Sequence, residues 1–139
     1  MLDRDKVLET IDEAYVARVR GDKEALARCW AEGASFKIAG NPAPFKTLCF
    51  ETNQPMNAIS DLIDRFEFSD LERISALVEG NQAAIRWEVT VTAHGSEPIR
   101  TELLDLVELG DDGRIRSFVQ FADTASILTL LQDEDTPAF

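Results

Sequence analysis

Histidine, cysteine and cationic side chains are scarce in this sequence of 139 residues. One histidine, His94, and two cysteines, Cys29 and Cys49, exclude multi-histidine metal centres and cysteine-rich zinc frameworks by count, so no metal site is expected. Against 26 acidic residues stand only 14 basic ones, a net charge of −12. That field repels both a phosphate backbone and an anionic bilayer, so neither nucleic acid nor a membrane is expected as a partner. No run of about 18 apolar residues occurs, which excludes a membrane-spanning helix. The opening Met-Leu-Asp-Arg-Asp-Lys has no signal-length apolar stretch behind it. A cytoplasmic chain with reduced cysteines is therefore expected. The 7 glycines form neither Gly-x-Gly-x-x-Gly nor a phosphate loop, and no serine sits in a Gly-x-Ser-x-Gly elbow. Nucleotide binding has no support, and no cofactor is expected.

What remains is ordinary globular composition, with 45% hydrophobic and 29% charged residues. The length suits a single domain over residues 1–139. Val7, Leu8, Ile11, Ala14, Tyr15 and Val19 follow a helical period over residues 4–20, and Gly21 provides a stop. Asp22 can cap a second helix with Ala25, Leu26, Cys29 and Trp30 on its inner face. A short strand is expected at 34–38 and a third helix with Ile59, Leu62, Ile63 and Phe66 along one side. Between them, residues 39–56 hold 3 of the 5 prolines yet also Phe45, Leu48 and Phe50. A loop that apolar either packs on the core or lies at a pocket mouth.

From Asp70 onward the period changes to two. Ala83, Ile85, Trp87, Val89, Val91 and Ala93 share one face of the clearest strand, with Arg86, Glu88 and His94 on the other. Further strands are expected at 99–109 and 114–122, joined by a hairpin at Gly110-Asp111-Asp112-Gly113, with a short helical tail around 125–131. Helices followed by a run of antiparallel strands indicate the α+β class.

One carboxylate interrupts this pattern. Ile99, Thr101, Leu103, Asp105, Val107 and Leu109 share a strand face, so Asp105 breaks an apolar stripe. Loss of hydration there raises a carboxyl pKa and lets the protonated group donate a hydrogen bond. The alternative is an aspartate satisfied by a neighbour, Arg86 or a tyrosine. The opposite face carries Leu104 and Leu106, so both directions stay open for this strand. Gln120 on the last strand alternates with Phe118 and Ala122 and can point the same way as Asp105. Tyr15, Trp30, Phe36, Trp87 and Phe118 would line whatever the sheet encloses, or simply form core.

The run YVARVRGDKEAL at 15–26, then CWAEGASF at 29–36, resembles the opening of the nuclear-transport-factor-2-like superfamily, and LLDLVELGDDGRIRSFVQFAD at 103–123 resembles its final hairpin. This group includes ketosteroid isomerases, limonene epoxide hydrolases and SnoaL-type polyketide cyclases. The resemblance implies a strongly bent antiparallel sheet with three N-terminal helices forming a cone around a hydrophobic pocket, usually as a homodimer. It places Asp105 where the isomerases keep a protonated oxyanion-hole aspartate, with their tyrosine near Ala14 or Tyr15. Their general base falls at Ile38, which cannot move a proton, so steroid isomerisation by that mechanism is not expected. Arg86-Trp87-Glu88 resembles the Arg-x-Asp pair of the epoxide hydrolases, whose second aspartate falls at Gln120.

The resulting expectation is a SnoaL-like domain that binds a small hydrophobic molecule and acts as an isomerase, cyclase or hydrolase. Asp105 would be the acid or oxyanion donor, Tyr15 and Gln120 would orient the ligand, and Trp30, Phe36, Ile38, Trp87 and Phe118 would form the wall. The rival is a non-catalytic binding or protein-interaction module of the same fold.

Overall fold

Two aspartates and one glycine set the first two helices. In the computed structural model, which describes residues 2–135, the Asp3 carboxylate accepts from the Lys6 amide at 2.9 Å and starts α1 (Arg4–Arg20). Gly21 ends it at φ 69°, a left-handed conformation that costs glycine little. The Asp22 carboxylate then accepts from the Ala25 amide at 3.0 Å and caps α2 (Lys23–Arg28).

The structure differs from the sequence pattern at two aromatic residues. Trp30, expected on the inner face of the second helix, is the first residue of β1 (Trp30–Ile38). Phe66, expected on α3 (Pro55–Arg65), is the first residue of β3 (Phe66–Glu79). Both sit at helical spacing from their neighbours, but strand pairing claims them: Trp30 pairs with Ile115 and Phe66 with Ala93. Strand β1 thus begins four residues earlier than the expected 34–38, with a register shift between Trp30 and Ser35. Strand β3 likewise starts before Asp70, which has φ 48° and lies within the register shift between Ser69 and Glu72. The bulge breaks the alternation expected there and bends the strand.

The rest of the sheet follows the sequence reading. Strands β4 (Gln82–Ala93), β5 (Ile99–Leu109) and β6 (Ile115–Ala122) run antiparallel. The two-residue β2 (Glu51–Thr52) pairs with β1 inside the apolar loop, and α4 (Thr124–Asp135) closes the described chain. The strand order is β2-β1-β6-β5-β4-β3, with β1 parallel to β6 and the other neighbours antiparallel. Its ends do not meet, so the sheet is curved but open. The fold is α+β, with three helices before the long strands and a fourth after them.

The direction of β5 is settled by burial. Leu103, Asp105, Val107 and Leu109 are buried against the helices, whereas Leu104 and Leu106 are 41% and 44% exposed on the outer face. Ile11, Ile85 and Ile115 are fully buried between α1 and the sheet. Full burial of such a side chain is worth about 1.5–3 kcal/mol.

Candidate active site

Between the concave sheet face, the helices and the apolar loop lies a cavity. Its space open to the centre of a water-sized sphere is about 90 Å³. A single water needs about 10–15 Å³ on that measure, so the space exceeds one water several-fold. Phe36 and Ile38 of β1, Phe118 of β6 and Trp30 line it, and Phe45, Leu48 and Phe50 fold over it from the loop. The rings of Phe45 and Phe50 pack with centroids 4.8 Å apart. The apolar content of residues 39–56 is therefore spent on the cavity.

Polar groups reach this space from α1, β5, β6 and the β6–α4 junction. Tyr15 projects from the buried face of α1 and Gln120 from the inward face of β6, and both line the cavity. Asp105 lies directly across from Gln120 in the β5–β6 register and is wholly buried. The Tyr15 hydroxyl makes a short hydrogen bond to Asp105 Oδ2, which also accepts from Trp87 Nε1 at 3.0 Å. Gln120 Nε2 donates to Asp105 Oδ1 at 3.1 Å and to the Tyr15 hydroxyl at 3.2 Å. Asp105 is thus a satisfied carboxyl, but its partners are Tyr15, Gln120 and Trp87. Arg86 points the other way and pairs with Glu102 across the outer face, Nε to Oε1 at 2.7 Å. Glu88 lies on the same outer face, 3.5 Å from Arg100. The Arg-x-acid pair implied by the resemblance is therefore not assembled at the cavity.

Five wall residues were expected. Trp30, Phe36, Ile38 and Phe118 line the cavity. Trp87 does not line the space. Its indole stacks behind Tyr15, with centroids 4.2 Å apart, and its N–H goes to Asp105. Asp105 itself is also not among the lining residues; Tyr15 and Gln120 form the wall in front of it. His94 is exposed beyond the end of β4. Among the described residues no cluster of three or more metal-ligating side chains occurs, and both cysteines are free thiols.

The proton positions follow from this geometry. Burial pushes the Asp105 carboxyl up to about 7, against the opposing pull of hydrogen bonds from Tyr15, Gln120 and Trp87. Burial first, and the neighbouring Asp105 charge second, push Tyr15 well above the usual phenol value. Near neutral pH the pair therefore gains or loses a single proton, held largely by the carboxyl. A phenol has one hydrogen to donate. While Asp105 is ionised, Tyr15 gives that hydrogen to the carboxylate. When Asp105 is protonated its O–H can donate to Tyr15, and the phenol hydrogen is free for the cavity. Both N–H bonds of Gln120 are committed to the pair, so it positions rather than donates.

One lining residue escaped the sequence reading. Arg18 is one helical turn beyond Tyr15 and only 9% exposed. Its signal was the same as that of Asp105, a charge on an apolar stripe, since Ile11, Ala14 and Tyr15 precede it at helical spacing.

The profile of the family described as SnoaL-like domain matches residues 11–118. Similar solved structures include an NTF2-like protein of unknown function from Burkholderia pseudomallei, with 17% identity, 90% of this chain and 96% of that chain covered, and a TM-score of 0.76. An LEH-like epoxide hydrolase of M. tuberculosis shares 11% identity over 92% of this chain and 90% of its own, with a TM-score of 0.70. The BvnE pinacolase of Penicillium brevicompactum shares 12% identity over 94% and 95%, with a TM-score of 0.73. At such identities the likeness is one of fold. The sequence matches none of the curated proteins.

Proposed function

The chain belongs to the SnoaL-like domain family, and from that premise we propose that it binds a small hydrophobic molecule in its cavity and acts on it by hydrogen-bond donation from Tyr15. The observation that carries this reading is the buried Tyr15–Asp105 pair, whose tyrosine forms part of the wall of a largely apolar space. Asp105 is the acid of the pair and acts through Tyr15, which would meet the substrate oxygen. Gln120 and Trp87 hold the carboxyl in register. The reactions such a site assists are those in which an oxygen gains negative charge or departs: carbonyl polarisation, epoxide opening, loss of a hydroxyl. The epoxide hydrolase and the pinacolase of the same fold lend support at the level of reaction class.

The test is a screen of apolar carbonyl and epoxide compounds, with Tyr15→Phe as the control. Removing one preorganised donor is expected to reduce turnover by about 10²–10³-fold while leaving ligand affinity largely intact. Wild-type turnover should fall as pH rises through about 7, where Asp105 loses its proton. Undiminished turnover in Tyr15→Phe would reject the assignment.

A second reading is favoured by Ile38, an apolar side chain on the cavity wall close to where the resemblance would put the isomerases' base. It makes the domain a binding module without turnover, and binding with no conversion of any compound would support it. Under either reading the assembly is a homodimer in the cytoplasm, joined through the outer sheet face, where Leu104, Leu106 and Phe121 are 41%, 44% and 44% exposed. No helix among the described residues is long and apolar enough to cross a membrane.

A further inference from the structure

Arg18 is the one cation among the described residues that line the cavity. Only 9% exposed, it takes part in none of the ion pairs of the described residues. Its Nη2 donates to the carbonyl oxygens of Phe66, at 2.8 Å, and Leu62, at 3.3 Å. The guanidinium carbon lies 3.8 Å from the centroid of the Phe68 ring. These contacts hold the group in place but leave Nε and Nη1 without an acceptor among the described residues. Burial lowers its pKa to about 10, so it stays cationic at neutral pH. In a protein with a net charge of −12, a nearly buried guanidinium without a carboxylate beside it is an uncompensated charge, and such groups are costly unless something pairs with them.

Both fork edges of a guanidinium include Nη2, which the two carbonyls occupy, so what remains for a ligand is Nη1, a cationic donor that forms a charge-assisted hydrogen bond with a single carboxylate oxygen. Tyr15 sits one turn earlier on the same helix face, so a ligand oxygen at Tyr15 and a charge at Arg18 fall within one molecule's reach. The carboxylate that lines the cavity, Asp123, lies at the β6–α4 junction and is taken up by Ser126, with Oδ1 accepting from its amide at 3.2 Å and Oδ2 from its hydroxyl at 2.7 Å. A ligand anion is repelled from that edge and drawn to Arg18. We infer that Arg18 is the anion-binding residue of the cavity and that its ligand is an apolar carboxylic acid. This rests on the reading of the cavity as a ligand site and narrows it to a chemical class.

The experiment is calorimetric titration at neutral pH with naphthoate and cyclohexanecarboxylate, each beside the alcohol of the same skeleton. The wild-type protein is expected to bind the acids more tightly than the alcohols. Arg18→Gln is expected to weaken acid binding roughly ten- to hundredfold, as loss of a charged hydrogen-bonded pair does, and to leave alcohol binding unchanged. Equal wild-type affinity for acid and alcohol overturns the role of Arg18 and leaves the ligand site standing. Binding of neither class overturns the ligand site, and this inference with it. Where Arg18→Gln does not fold, Arg18→Lys keeps the charge but places no donor at the position of Nη1. Acid binding should then weaken while alcohol binding holds, and a lysine variant that loses both equally assigns Arg18 to the fold alone.

Discussion

Replacing Asp105 by asparagine separates a protonated buried carboxyl from an ionised one through stability alone, with no substrate required. The unfolded chain titrates Asp105 at its ordinary 3.8, the native protein at about 7. Below about pH 4 both states hold the proton and the group contributes no pH dependence. Between about pH 4 and 7 the unfolded chain releases it while the native state keeps it, so stability falls as pH rises. Above about pH 7 both are ionised and the loss is complete. At roughly 1.4 kcal/mol per pH unit the whole interval amounts to at most about 4 kcal/mol. Asparagine has the same shape and no charge. Its oxygen can take the Tyr15 and Trp87 donors, and rotation of the Gln120 carboxamide lets that side chain accept from the new amide. Urea denaturation of both proteins across pH 4–8 is the assay, because the difference between them cancels every other titrating group. Asp105→Asn should gain on the wild type steadily up to about pH 7 and then level off. A difference independent of pH, or one that moves the other way, would refute the claim that burial outweighs the three hydrogen bonds.

Two further expectations concern the frame around the site. Leu106→Glu on the outer face, beside Leu104 and Phe121, should convert a dimer into a folded monomer in light scattering; a monomeric wild type would remove the basis for that interface. Gly21→Ala should destabilise by about 1–2 kcal/mol in urea, because φ is 69° there. The added methyl meets only Ile63 Cγ2 at 3.8 Å, so the cost is conformational, and an unchanged midpoint would contradict it.

Local rules were readable where one signal acted alone. Gly21 and Asp22 marked a helix boundary, the alternation over Ala83–Ala93 marked one strand, and Gly110–Gly113 marked the hairpin between β5 and β6. They failed where two signals overlapped. Trp30 and Phe66 continue helical periods and also fit strands; the pairing partners that decide lie far along the chain, at Ile115 and Ala93. Strand β5 is apolar on both faces, so its direction depended on Tyr15, 90 residues away, supplying a donor to Asp105. Trp87 was readable as inward but not as second in line, since depth within a core has no periodicity. Arg18 carried the same anomaly as Asp105, a charge on an apolar stripe, yet long cationic side chains usually reach solvent from such positions.

The reactions open to the cavity follow from what faces it. Tyr15 stays neutral, raised by burial and by the adjacent carboxyl, so it donates and does not accept a proton at ordinary pH. Ile38, where the resemblance to the isomerases would put a base, is an apolar residue of the cavity wall. Asp123 is exposed at the cavity edge, and the Ser126 side-chain and backbone hydrogen bonds hold its carboxyl below the usual range, which makes it a weak base. A site with a poised donor and no strong base favours steps in which charge builds on the substrate's own oxygen. Moving a hydrogen from carbon to carbon needs a group that accepts it at neutral pH, and no lining carboxylate is tuned for that task. On the proposed reading the raised Asp105 pKa serves donation through Tyr15, and opening or departure at a carbon–oxygen bond is expected over a proton shift between carbons.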